Sequence, residues 1–444
     1  MKKSIIWFLP YVVLLGQSTD ATMTIYKNGL ALINQPVSWI IDNQSNKIEY
    51  EIIPEGIKKS TPYLNLSNGK VFNQKLNYNI FSENTLFKNS LGSSVTITTI
   101  DDEDQFGTLI SISPEGYTLQ TRRDVVYIKK THVKQVALRK IIDNPRTRPV
   151  LQWNIISETN NPSGNLVYMT NGFEWNAVYR MEILGDGSAT LIPEAYISNY
   201  SSITFDNLKI KLVEGALGNN QTNSIRSNRR LSSVSRDSEM DTQIGKESPL
   251  GDYSIYNYPK RFSFGSNEHV SVRLYESRKI NYSKIYVFEN VERRQKEEPL
   301  EIEFQVQNTM ENNLNIPLPQ GRIALYEYSD SALEFTGEDN IKQTPKGEVL
   351  TIRAGRSFDV IGKRKVVNFD RQRKSEEASI EVLINNTKDE KISIRLEEKI
   401  LGDWVIKDAS HNYIKKDATT IHFPLSISKG KKALVTYTYR KEWN

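Results

Sequence analysis

Apolar and polar side chains alternate along most of this chain, and turn residues break the alternation every few positions. Successive side chains of an extended strand point to opposite faces, so the pattern predicts strands with one buried and one solvated face. Early examples are 23–28 (MTIYKN), a turn at Gly29, 30–34, and 47–53. Residues 91–138 form a compact series. Strand 95–100 leads into an acidic turn at 101–104, and 107–112 returns. Pro114-Glu115-Gly116 turns the chain again, and 117–121, 125–128 and 133–138 follow. Five short strands with tight turns form a meander. It either closes as a small barrel or lies as a sheet on a neighbouring domain. One short helix is expected, at 83–90.

The alternation resumes after a linker at 147–149. Phe173, Trp175, Ala177 and Tyr179 fall on one strand face, Gly185-Asp186-Gly187 makes a hairpin turn, and 191–199 and 207–215 are further strands. The pattern fails over 218–250, where seven Ser and four Asn accompany a near balance of charges and few large apolar residues. Such a composition buries too little apolar surface to fold, so the stretch is read as a surface insertion; its Arg229-Arg230 pair is read as solvated. Strands return after Tyr253. The last part carries them at 379–385, 391–399, 404–410, 419–423 and 433–440. The expected class is all-β: several β-sandwich or small-barrel units, a C-terminal immunoglobulin-like sandwich and little helix. The expected divisions are 1–21, 22–149, 150–378 and 379–444.

Composition adds a location. Lys2 and Lys3 precede a 12-residue apolar run, 5–16 (IIWFLPYVVLLG), and a polar exit ending at Ala21. Twelve helical residues rise about 18 Å, short of the roughly 30 Å hydrocarbon core of a membrane. The segment is therefore read as a signal peptide cleaved near Ala21, with no transmembrane segment after cleavage. The chain of 444 residues has no cysteine, which removes disulfides, acylation at a lipobox and thiolate chemistry. Extracellular proteins of this size that lack disulfides are more typical of bacteria, so a periplasmic or extracellular place is expected. The net charge of +5 comes from finely mixed cations and anions, and no long basic run is interleaved with aromatics. No nucleic-acid partner is therefore expected.

Candidate chemistry is sparse. The four histidines, at 132, 269, 411 and 422, show no metal-ligand spacing, although His411 and His422 fall close enough to meet across a hairpin. Asp102-Glu103-Asp104 starts like a calcium loop but has Phe106 at its fifth position and Ser113 at its twelfth. No nucleophile elbow, phosphate loop or dinucleotide fingerprint occurs. Trp153, Trp175, Trp404, Tyr168, Tyr179, Tyr196 and Tyr326 are read chiefly as core, with sugar stacking as the alternative role. No catalytic, cofactor-binding or metal-binding residue is assigned, and no cofactor.

Several longer segments carry a resemblance. They are 318–327 (LPQGRIALYE), 335–341 (FTGEDNI), 344–348 (TPKGE) and 355–361 (GRSFDVI). Upstream, 74–82 with Leu91-Gly92, 151–153, 168–177 and 199–215 agree; downstream, 402–404 and 409–411 do. In order and over nearly the whole mature chain, these resemble the bacterial family known as domain of unknown function 4139, which includes proteins named mucoidy inhibitor A. Asn171, Asn176 and Glu214 depart from the family pattern, and the 218–250 insertion has its own length. The resemblance implies an envelope location and a β-rich fold; it implies no established activity and no catalytic residue. In physical terms, Gly321, Gly337, Gly347 and Gly355 mark positive φ or close backbone approach, and Pro317, Pro319 and Pro345 stiffen turns. The unit is expected to be a joint between sandwiches or, second, a binding surface.

The expected function is that of a non-enzymatic envelope scaffold or binding protein, with an envelope protein or a polysaccharide as partner. The alternatives are a glycan-acting hydrolase with paired carboxylates and a self-assembling surface-layer-like protein.

Overall fold

A computed structural model of the chain describes residues 13–14, 21–41, 46–78, 82–138, 146, 148–214, 254–330 and 332–443. The expected signal segment, apart from Val13–Leu14 and Ala21, lies outside the described residues. So do the insertion at 218–250, with Arg229 and Arg230, and linker residue Thr147. Strands dominate the described residues and helix is limited to single turns, so the protein is all-β. Two compact units divide the chain.

The first unit comprises 1–174, 198–213 and 258–268. Two of its strands, Leu30–Ile40 and Ser163–Asn171, pair antiparallel in a seven-stranded sheet. Alternate residues Ala31, Ile33, Trp39, Leu166 and Tyr168 are buried, as the period-two pattern requires. A three-stranded sheet carries Trp153, whose ring meets Trp39 edge-on at 5.9 Å between centroids.

The expected meander is present as strands Ser94–Thr99, Asp104–Ile112, Gly116–Gln120, Val125–Lys129 and Val133–Leu138. The first four pair in sequence, and the fifth returns to pair with the first after a single 3-10 turn at Lys130–His132. Val95, Ile97, Leu109, Tyr117, Leu119 and Ile128 bury one face of all but the fifth strand. That strand adds Val133, Val136 and Leu138 to the same core. The expected helix forms at Glu83–Lys88. Ser82 caps it by accepting a hydrogen bond from the Thr85 amide, and Phe87 packs on the meander core.

The second unit comprises 175–197, 214–257 and 269–444. Nine of its strands are labelled here: β1 (Ser283–Val291), β2 (Lys296–Gln307), β3 (Val349–Arg371), β4 (Ser375–Asn386), β5 (Ile392–Lys399), β6 (Asp403–Ala409), β7 (Ile414–Lys415), β8 (Thr420–Ile427) and β9 (Lys432–Glu442). They form one sheet in the order β6-β9-β4-β3-β2-β1-β5-β8-β7. The sheet curls, so Ile394, Leu396, Phe423 and Leu425 of one arm share a core with Ile380, Val382, Val435 and Tyr437 of the other. The C-terminal strands are thus sandwich-like, as expected, but the sandwich is wider than 379–444. Residue 379 falls inside β4, which pairs along its length with both β3 and β9. Alternation reveals strands but not their partners, so sequence alone could not show that 283–371 supplies three strands to this sheet.

The unit also holds a six-stranded sheet, in which Phe173–Ile183 pairs parallel with Gly321–Ser329. Trp175, Ala177 and Tyr179 on that strand are buried, and so is Phe173. A Cβ on Gly321 would sit 2.1 Å from the Ala177 carbonyl oxygen, which is why glycine stands there. The Pro-rich stretch ahead of it connects this sheet to the nine-stranded one. The Asn308 side chain ties the stretch down: its amide donates to Ile316 O (2.7 Å) and Pro345 O (2.8 Å), and its oxygen accepts from Ile316 N. The Pro-rich stretch thus runs between two sheets of the second unit, whereas Gly321, Gly337 and Gly355 of the expected joint lie within strands.

Candidate functional site

The candidate residues gather on the curled sheet, and β3 organises them. This 23-residue strand pairs with β2 along its first half and with β4 along its second. At one end of the curl lie the loops β1–β2, β3–β4 and β5–β6 and the end of β9.

Just inside that end, Arg364 and Glu398 are fully buried and paired. Arg364 Nε donates to both carboxylate oxygens at 3.0 and 3.2 Å. Tyr437 OH donates to Glu398 Oε2 at 2.7 Å, and Asn290 Nδ2 donates to Oε1 at 3.0 Å. The rest of the guanidinium donates to the backbone oxygens of Glu292 and Arg294 and to Tyr437 OH. Burial pushes the Glu398 carboxyl above its ordinary pKa against the pull of Arg364, and pushes Tyr437 well up. Closed in by four hydrogen bonds from three residues, Glu398 is a structural group rather than an acid or base facing a substrate.

Nearer the mouth, Glu292 accepts hydrogen bonds from Lys441 Nζ (2.8 Å) and the Leu401 amide (2.9 Å). Burial works to raise its pKa, but these partners hold it below the ordinary value. Tyr439 OH and Glu376 Oε1 are buried and make no hydrogen bond among the described residues. Burial, with Glu376 and Glu292 adding to it, raises Tyr439 to about 12. At the rim, the Arg293 guanidinium lies 4.8 Å from the Phe369 ring centroid and that of Arg371 lies 5.7 Å from Trp443. Lys365, Arg371, Arg373 and Lys374 are exposed around them.

A second feature lies towards the other end of β3. Glu301 pairs with Arg356 and Pro299 with Ile361, so five steps along β3 (361 − 356) answer two along β2 (301 − 299). The extra residues form a bulge. Gly355 enters it at φ +92°, a conformation that side chains disfavour. Ser357 and Val360 point inward and are buried, whereas Phe358 between them is 92% exposed. Arg356 pairs with Glu298 at 2.8 Å, and the Asp359 carbonyl accepts from both the amide and the hydroxyl of Thr387. The bulge is pinned on both sides while it holds a phenyl ring in water.

The outer face of the same sheet carries a charge ladder. Arg395 donates to Glu303 through both terminal nitrogens (2.9 and 2.7 Å), and His422 Nε2 lies 2.9 Å from Glu397. Burial raises and the bonds from Arg395 and Gln305 lower the Glu303 pKa, which ends below its ordinary value. Burial lowers that of His422 against the pull of Glu397.

His422 stands opposite Ile414 on one side and Glu397 on the other, while His411 contacts Ser410, so the two histidines do not form the expected pair. Among the described residues no group of three or more His, Asp or Glu is placed to hold a metal. The acidic hairpin at 101–104 has local partners: Asp102 pairs with Lys134, and Asp104 accepts from Thr98. Of the seven ring candidates, Trp153, Trp175, Tyr168, Tyr179 and Trp404 are buried. Tyr196 is exposed and stacks on His269 with 7° between the ring planes; Tyr326 is half-buried against Phe335.

Of the motif that carried the resemblance, 355–361 becomes the bulge. Sequence reasoning missed the cationic tip. Residues 363–374 (KRKVVNFDRQRK) hold six cations and one acid, net +5, as much as the whole chain. That density is the signal that could have found them.

Sheet and site define an all-β, sandwich-like protein whose distinctive surface groups are an exposed ring on a pinned bulge and a cationic, aromatic loop end. No protein-family model matches the chain, and a search of the curated proteins returns no match.

Proposed function

We propose that this is a non-enzymatic binding or scaffold protein of a bacterial cell envelope, docking a partner protein at the 355–361 bulge. Phe358 carries the reading. Burying a phenylalanine side chain is worth roughly 1.5–3 kcal/mol, and the fold forgoes this gain while pinning the bulge that presents the ring. Aromatic and arginine side chains at the centre of a contact supply most binding energy, and Arg356 and Phe358 are two residues apart. An exported location follows from the N-terminal charge and apolar pattern, and the resemblance to the domain of unknown function 4139 family agrees with it.

The test places a photo-crosslinking amino acid at 358 and, as a control, at the exposed Lys407. One protein adduct specific to 358, lost on competition with unlabelled wild type but not with Phe358→Ser, is the expected result. The same adducts at both positions, or none at 358, would overturn the reading. Phe358→Ser should leave the melting temperature unchanged, because the ring contributes no burial.

A further inference from the structure

The geometry points to the loop end at 363–374 as a docking surface for an anionic phospholipid bilayer. This goes beyond the docking role of Phe358 and does not depend on it. Phe358 and Phe369 lie eleven steps apart along β3 (369 − 358), one in the bulge and the other beyond the stretch paired with β2.

Two independent observations meet here. The first is charge. Lys365, Arg371, Arg373 and Lys374 are exposed on the β3–β4 hairpin, and Arg293 reaches the same rim from the β1–β2 loop. The acids at this end are Asp370, Glu377 and Asp403, which are exposed, Glu376, buried with Arg293 3.9 Å away, Glu292, held by Lys441, and Glu442, held by Arg440. The second is apolar exposure at the same end. Val367 is 64% exposed, Leu401 55% and Phe369 39%.

Cations with apolar side chains projecting between them are what a bilayer interface selects. Arginine and lysine pair with lipid phosphates, and apolar groups pass beneath the headgroups. A soluble polyanion would use the cations and gain nothing from Val367, Leu401 and Phe369. The tip is short and held: Gln372 N donates to Ser375 O (2.8 Å), Trp443 N donates to Lys374 O (3.1 Å), and Arg293 and Arg371 lie over rings. Little order has to be acquired on binding.

The experiment is flotation of the full chain with vesicles of phosphatidylglycerol in phosphatidylcholine, against pure phosphatidylcholine, with heparin as competitor. The expected result is binding to the anionic vesicles alone, weakened by added salt. Each cation near a charged membrane surface is worth about a fivefold change in partitioning, so Arg373→Glu with Lys374→Glu should lower it by more than roughly 25-fold. Phe369→Ser with Val367→Ser should lower it about tenfold at unchanged charge. Circular dichroism of each variant checks folding, since all four side chains lie at the surface. Equal binding to neutral vesicles would overturn the inference. So would vesicle binding that survives the apolar substitutions, which would mark the end as a polyanion site. An intact 358 adduct alongside either result would leave the proposed function standing.

Discussion

Glu397 and Glu398 are neighbours on β5, and the sheet gives them opposite surroundings. Glu398 points into the curl, fully buried, with Arg364, Tyr437 and Asn290 donating to it. Glu397 points outward, beside His422, Arg395 and Lys399. In the inner cluster four hydrogen bonds fill the Glu398 carboxylate away from solvent. The outer ladder shares its cations: Arg395 lies near both Glu303 and Glu397, Lys399 lies near both Glu397 and Glu289, and the cations are partly exposed. The contrast predicts that a charge in this sheet is costly or cheap to alter according to the face it occupies.

The strongest way to break this comparison is Arg364→Ala. It leaves Glu398 buried and unpaired, and unfolding in denaturant should show a loss of about 3–5 kcal/mol. A loss under about 1 kcal/mol would mean that water reaches the cluster and that inside and outside do not differ.

Acid titration sharpens it next. Glu303 has a folded pKa below the unfolded value near 4.5. Its stabilisation is therefore complete above that value and disappears as pH falls through the folded pKa. Glu398 has the opposite sign: its raised pKa lowers stability as pH rises from 4.5 through the folded value. Melting temperatures below pH 4.5 should fall less steeply with pH in Glu303→Gln than in wild type. An unchanged acid slope would remove Glu303 from the ladder's account.

The smallest effect belongs to Lys399→Ala. Lys399 is partly exposed and lies 3.6 Å from Glu397 and 3.8 Å from Glu289, with Arg395 also near Glu397. Equilibrium unfolding should shift by no more than about 0.5 kcal/mol. A loss comparable to that of Arg364→Ala would show the outer ladder to be as closed as the inner cluster.

Much of this arrangement is legible in the residues. Alternation over 391–399 already sends Glu397 and Glu398 to opposite faces, and that over 173–179 puts four residues into a core, where they are found. Rings at strand spacing point to core, and five of the seven are buried. His411 does not meet His422, because β8 is opposed there by the short β7, which puts Ile414 rather than His411 across from His422. The cationic tip was visible as composition, but composition does not say that Arg364 turns inward while Lys365 and Arg371 stay outside.

The amino-acid order by itself determined the all-β class, the period-two division of each strand into two faces, and the turns, because these depend on neighbours a few residues apart. Only the tertiary structure decided which strands lie side by side. Arg364 meets Glu398 across 34 intervening steps and Tyr437 across 73. Those meetings depend on register and on the curl of a sheet held by distant backbone pairs. Local alternation is equally compatible with many registers, and burial of the shared core selects one.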